Sequence, residues 1–265
     1  MHKTQKVNPI SSLSHIMSIT ALDATIIGLA WYAYYSKTLN VALDPIKMTI
    51  LGLSIWLVYM SDRLFDVHHG SAIHSKRHQF AKRYETYIWL LWFIILIADI
   101  YLSFSYLSLH KIYMGSKLTG LLLIYTLLNQ LIFKKVFPKE LFVAAIFSYG
   151  VLFLIDVPIN YNTFISFAII CFLNCLILSE KESAIDYEIG VCSLGTILGH
   201  TKVFIISLIV TLGFLMVSLD PLSPYFIVSL SLLMSYIFLR NLKDETFRAL
   251  IEAQFALYPI ASSLL

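Results

Sequence analysis

Charge is what this sequence has least of. Only 13% of its 265 residues are Asp, Glu, Lys or Arg, against about 25% in an ordinary soluble domain. Cysteine is also scarce, with three in all, which excludes a disulfide framework. Cys171 and Cys175 sit one helical turn apart in an apolar run, a spacing that reads as packing on one helix face. Ten Gly and seven Pro exclude a linker-rich or low-complexity chain. The net charge is only +3, and the basic residues fall in short segments beside apolar runs, so nucleic acid is not an expected partner. What remains is apolar: 58% of residues are hydrophobic and the mean hydropathy is +0.79. That much apolar surface needs a lipid bilayer as solvent.

A spanning helix takes roughly 20 mostly apolar residues. Nine stretches meet or approach this: about 16–36, 46–66, 86–108, 113–133, 139–155, 160–180, 201–219, 222–240 and 246–263. The fifth and ninth are the weakest, being short or interrupted by charge. Pro45, Pro138, Pro158 and Pro221 fall at or near boundaries, where a missing backbone N–H costs little. Met1 to Pro9 is polar, and no small-residue cleavage site follows, so a cleavable leader is not expected. The fold class predicted is all-α: one polytopic transmembrane bundle over residues 1–265, about nine helices, with the N-terminus cytoplasmic.

The orientation rests on basic residues, which concentrate on the cytoplasmic side. With the N-terminus inside, that side holds Lys3, Lys6, Arg63, Lys76, Arg77, Lys82, Arg83, Lys134, Lys135, Lys139, Lys181, Lys202, Arg240, Lys243 and Arg248; the other holds Lys37, Lys47, Lys111 and Lys117. The split is 15 to 4, accounting for all 19 Lys and Arg. A bacterial inner membrane is the expected location. Two cytoplasmic segments are long and polar, about 67–85 and about 181–200, and long polar loops are more often functional. They follow the second and sixth helices, so the halves they mark are parallel pseudo-repeats.

Both segments carry paired acids. Asp62 and Asp66 are four apart, with Gly70 four further on; Glu182, Asp186 and Gly190 repeat the spacing. On a helix, acids four apart share a face and repel, unless a cation lies between them. Hard carboxylate oxygens with nearby phosphate suit Mg²⁺. Arg63, Lys76, Arg77 and Arg83 flank the first pair, and Lys181 and Lys202 the second; carboxylate-held metal with Lys or Arg makes a diphosphate site. A solvated helix end with topology-setting charges is the alternative for each group. His68, His69, His74 and His78 raise a histidine-based iron or zinc centre, but only His110 and His200 follow, both isolated. Asp23 in the first helix and Asp99 in the third are ionisable groups at membrane depth, which line cavities or bond between helices. They are the best support for a small-solute transporter, against which stands the lack of paired interrupted helices. Glu140, next to Lys139, suggests an ion pair entering the fifth helix.

Nine helices with acid-rich loops after the second and sixth resemble the UbiA superfamily of intramembrane prenyltransferases. That family's first loop reads Asn-Asp-x-x-Asp-x-x-x-Asp. Here Asp62 stands at the Asn position, Arg63 at the first Asp, Asp66 at the second and Gly70 at the third. The second motif, three spaced Asp, is matched by Glu182 and Asp186, with Gly190 in third place. The flanking Trp56-Leu57-Val58-Tyr59 and Arg77-His78-Gln79-Phe80 look like a divergent branch. The resemblance implies Mg²⁺ held by Asp62, Asp66, Glu182 and Asp186 as the catalytic set. It implies diphosphate contacts from Arg63, Lys76, Arg77 and Lys202, and a cavity lined by Asp23, Tyr59 and Tyr187. The implied reaction moves a prenyl group from a polyprenyl diphosphate to an acceptor, an aromatic one among the candidates. Arg63 in place of an acid, and two glycines in place of acids, reduce the metal capacity. A non-catalytic isoprenoid- or partner-binding protein on the same scaffold is the alternative.

Overall fold

A computed structural model describes residues 16–68, 76–128, 139–184, 193–218 and 223–264. Ten helices of eight residues or more lie among them: α1 (Leu22–Thr38), α2 (Pro45–His68), α3 (Lys76–Arg83), α4 (Glu85–Tyr106), α5 (Leu109–Leu128), α6 (Lys139–Phe153), α7 (Tyr161–Lys181), α8 (Leu194–Ser218), α9 (Pro224–Leu239) and α10 (Asp244–Leu264). No strand occurs among the described residues. Segments within α2, α4, α7 and α8 are long and apolar enough to cross a membrane, and α9 is a shorter apolar helix. The chain is therefore an all-helical protein of membrane character.

Helix starts follow local chemistry. The Asp44 carboxylate accepts the N–H groups of Ile46 (2.9 Å) and Lys47 (3.2 Å), and Pro45 fills the first helical position of α2, where no N–H is missed. The Asn160 side chain accepts the N–H of Asn162 at 2.9 Å and caps α7. Pro224 opens α9 in the same manner as Pro45 opens α2.

Two helices differ from their expected form. The first apolar stretch is broken at Thr20 and Ala21, where buried Ala21 takes a left-handed backbone (φ 59°), so α1 begins at Leu22. A break leaves carbonyls without intrahelical donors. Here the Arg63 guanidinium donates to Ile19 O at 2.6 Å and the Trp56 indole to Thr20 O at 2.9 Å. Asp23 thus occupies a first helical turn, where a carboxylate is favoured, and accepts the N–H of Ala24 at 2.8 Å. In α8 the helical path starts at Leu194, inside the expected 181–200 loop, and is interrupted at Gly199 (φ 69°, ψ 171°), a conformation that glycine adopts freely. The expected 67–85 loop likewise contains a helix, α3. One break falls in the first apolar stretch and the other just before the seventh, not at matching positions of the two halves.

The core gathers around α1 and α7. Trp31 packs on Phe167 (4.8 Å between rings) and Phe255 (5.5 Å), and its indole donates to Phe255 O at 3.2 Å. Helix α7 contacts α6, α8, α9 and α10, and α1 contacts α2, α6 and α10. Helix α4 is peripheral: only Ile88 of it is buried, while Ile94, Ile97, Tyr101 and Phe104 are exposed. An apolar helix with its apolar side chains facing outward fits a lipid surround rather than water.

Polar contacts gather the helix ends into two sets. One set joins Lys181 to Asp244 (3.0 Å) and Arg240 to Glu180 (3.2 Å), at the ends of α7, α9 and the start of α10. The other joins Lys47 and Lys111 to Asp156, and Lys37 to Ser262 O (3.3 Å). Basic residues assigned to the cytoplasmic side make the first set, and three of the four assigned to the far side make the second.

Candidate functional site

The strongest concentration of buried charge lies where α2, α3, α7 and α10 meet. Glu182 caps the C-terminal end of α7 with its side chain 16% exposed. Arg77, from α3, donates to its Oε1 at 3.0 Å. Arg248, in the second turn of α10, donates from Nε to the same oxygen at 2.8 Å and from Nη2 to Oε2. The third Arg248 nitrogen reaches Glu252, one turn along, at 3.0 Å. Forked guanidinium–carboxylate bonds of this kind are among the stronger polar contacts and fix orientation as well as distance. Burial alone would raise the Glu182 carboxyl. Arg248 first, and Arg77 second, overcome this and hold it at about 2.

Around this pair stand further polar groups. Arg63, on α2, is 9% exposed and interacts with Arg77, Asp23 and Arg248. Asp23 and Glu252 are electrostatic neighbours. Tyr59, one turn before Arg63, has Cys175, Glu252 and Asp23 among its electrostatic neighbours. Asp62 is exposed and interacts with Tyr125 of α5.

The expected site residues are therefore brought together in part. Arg77 from the first polar segment touches Glu182 from the second, so these segments meet as halves of one site require. Tyr59, Asp23 and Arg63 join them. Arg63 nonetheless spends a donor on Ile19 O, so its first task is to close the α1 break. Lys202 is exposed on α8, and none of the cluster's ion pairs among the described residues involves it. Asp66 and Lys76 are placed by backbone only, near the end of α2 and at the start of α3. Asp186, Tyr187 and both motif glycines, Gly70 and Gly190, lie outside the described residues, as do His69 and His74. Glu140 Oε1 accepts the Leu194 N–H at 3.0 Å, capping α8. Asp99 accepts from Ser54 at 2.8 Å, between α4 and α2, a bond between helices.

Arg248 and Glu252 were missed as site residues. Their signal was present: a basic and an acidic residue four apart inside an otherwise apolar stretch, where ionisable groups are costly and functional by default. Counting Arg248 only as a topology-setting charge hid it.

A metal fits only part of this cluster. Among the described residues no three His, Cys, Asp or Glu are grouped so as to hold an ion. Both oxygens of Glu182 are taken by guanidinium donors, so a cation there would have to displace Arg248. Asp62 is exposed on α2, beside Arg63 in sequence.

The low value of Glu182 gives a signed pH dependence. A carboxyl held at about 2, against an ordinary 4.5, contributes stability that is fully present above pH 4.5 and is lost as pH falls toward 2. In detergent, the gap in melting temperature between the wild type and Glu182→Gln is expected to be constant from pH 7 to 5 and to narrow steadily below 4.5. A gap unchanged down to pH 3 would show that the carboxylate charge is not what Arg77 and Arg248 bind.

In comparison with known proteins, no family model matches the chain, and no curated protein matches it.

Proposed function

We propose that this chain is a UbiA-like membrane prenyltransferase, with nine membrane-crossing helices, its N-terminus in the cytoplasm and its charged cluster at the cytoplasmic face of a bacterial inner membrane. The observation that carries the reading is the contact of Arg77 with Glu182, which links the two polar segments through one ion pair. Sorting of the basic residues into two sets of end contacts supports the topology.

The substrate side of the proposal follows from the donors present. Arg77 and Arg248 hold a carboxylate in a forked geometry that a diphosphate oxygen also satisfies. On this reading Glu182 occupies the anion position in the absence of substrate, and the guanidiniums transfer to the diphosphate of a polyprenyl donor when it arrives. Their charge then stabilises the leaving diphosphate as the allylic C–O bond breaks. Tyr59 has Glu252 and Asp23 among its neighbours, and ring faces attract carbocations. Mg²⁺ would be held by Asp62 and Asp66 with Asp186, rather than by Glu182 as it stands, and would neutralise diphosphate charge. The acceptor would enter from the apolar interior between helices.

The locked state of Glu182 also favours a second reading, a non-catalytic isoprenoid-binding or partner-binding protein on the same scaffold. One experiment separates them. Purified protein is incubated with Mg²⁺ and polyprenyl diphosphate labelled in the prenyl chain, with membrane lipid extract as acceptor source. Magnesium-dependent release of diphosphate with transfer of label is expected. Labelled donor that is bound but recovered intact would replace the enzyme by the binding scaffold.

A further inference from the structure

A groove of about 310 Å³ lies between α8 and α9, lined by His200, Phe204, Tyr236, Ile237, Arg240 and Asn241. None of these six belongs to the Glu182 cluster, and neither the prenyl donor nor its acceptor needs them. We propose that this groove binds the phosphodiester headgroup of an anionic membrane lipid.

The groove has two chemically distinct levels. Its polar level is made by His200, whose Nδ1 is 2.6 Å from the buried Tyr236 hydroxyl, and by Arg240 and Asn241 at the end of α9. Arg240 bonds Glu180 at 3.2 Å through one nitrogen, yet its side chain remains 41% exposed, so the guanidinium serves the groove as well as the ion pair. Lys202 and Lys243 are exposed and close by in sequence, while Glu180 is the acid at this level, held by Arg240. Its apolar level is Phe204 and Ile237. Beyond these, both helices continue with exposed apolar side chains: Ile205, Leu208, Ile209 and Leu212 on α8, Met234 on α9.

An occupant must therefore carry negative charge at one end and hydrocarbon at the other. Basic pockets between membrane helices near the interface meet this demand with acidic headgroups, while the acyl chains follow the exposed helix faces. A soluble anion would gain nothing from Phe204 and Ile237. A zwitterionic lipid would match the apolar level but would set its own cation against the exposed part of Arg240.

The test uses the full chain in a nonionic maltoside detergent, with bound lipid counted by native mass spectrometry. Dioleoyl phosphatidylglycerol, dioleoyl phosphatidylcholine and the tail-free glycerophosphoglycerol are titrated separately. Each basic group near a headgroup contributes about fivefold in affinity, so phosphatidylglycerol is expected to bind on the order of tenfold more tightly than phosphatidylcholine, and the tail-free headgroup not measurably. Arg240→Gln should abolish the preference. Because that change also removes the partner of Glu180, Ile237→Trp supplies a second variant, filling the groove while leaving the ion pair intact; it should lose the same single phosphatidylglycerol. Equal binding of the two lipids, an unchanged preference in Ile237→Trp, or binding of the tail-free headgroup as tight as the lipid would each overturn the proposal.

Discussion

Arg248→Met should be among the most destabilising single substitutions in this protein. It leaves largely buried Glu252 without its cationic partner and Glu182 with Arg77 alone, and breaking a buried ion pair by removing one member costs about 3–5 kcal/mol. For a chain of this size that corresponds to a fall in melting temperature of roughly 10 °C. The double variant Arg248→Met with Glu182→Gln should recover part of the loss, because it removes a carboxylate that has lost its forked partner; this coupling is the signature of direct contact. Thermal unfolding in detergent of the two single variants and the double variant measures it. Strict additivity would mean that Arg248 and Glu182 do not share one bonded network.

The second large effect concerns turnover. Asp66→Asn and Asp186→Asn each remove a negative charge with little change in size. If these acids hold Mg²⁺ against the diphosphate, each change should reduce magnesium-dependent diphosphate release by about 10²–10³-fold, the range found when one electrostatic contact to the developing charge is lost. Stability without ligand should move by less than about 0.5 kcal/mol, and Asp66→Asn relieves repulsion with Asp62 one turn away. Full activity in both variants would remove the acids from the reaction, whereas equal loss of stability and activity would make them structural.

How much of this was legible in the sequence depends on the kind of signal. Apolar runs of membrane length gave the helices, because burial in lipid is summed over twenty residues and tolerates local exceptions. Each of the nine stretches overlaps a helix among α1, α2 and α4 to α10. The breaks were not legible. Nothing in Thr20-Ala21 marks a helix stop, and the left-handed Ala21 is sustained by partners 35 and more residues away, Trp56 and Arg63. Gly199 was visible as a glycine but not as the left-handed break in α8, and nothing local marked Gly195, which lies so near the Glu180 backbone that a side chain would collide with it. For the site, spacing identified Glu182 and the neighbourhood of Arg77. It could not tell that Glu182 faces guanidiniums, since its main partner, Arg248, is 66 residues distant and three helices later. Arg63 shows the same limit: its position in the motif suggested phosphate, and its first partner is a backbone carbonyl.

The measurement that bears most directly on the central claim is the thermal stability of the wild-type protein with and without geranylgeranyl diphosphate and Mg²⁺. A ligand that binds only the folded state stabilises it by mass action, by about 2.7 kcal/mol at a hundred times its dissociation constant. If the Arg77–Glu182–Arg248 cluster is the diphosphate site, the melting temperature should rise by several degrees with both components present, and Arg77→Gln should lose most of the rise. No rise at millimolar ligand, with inorganic diphosphate equally without effect, would contradict the account.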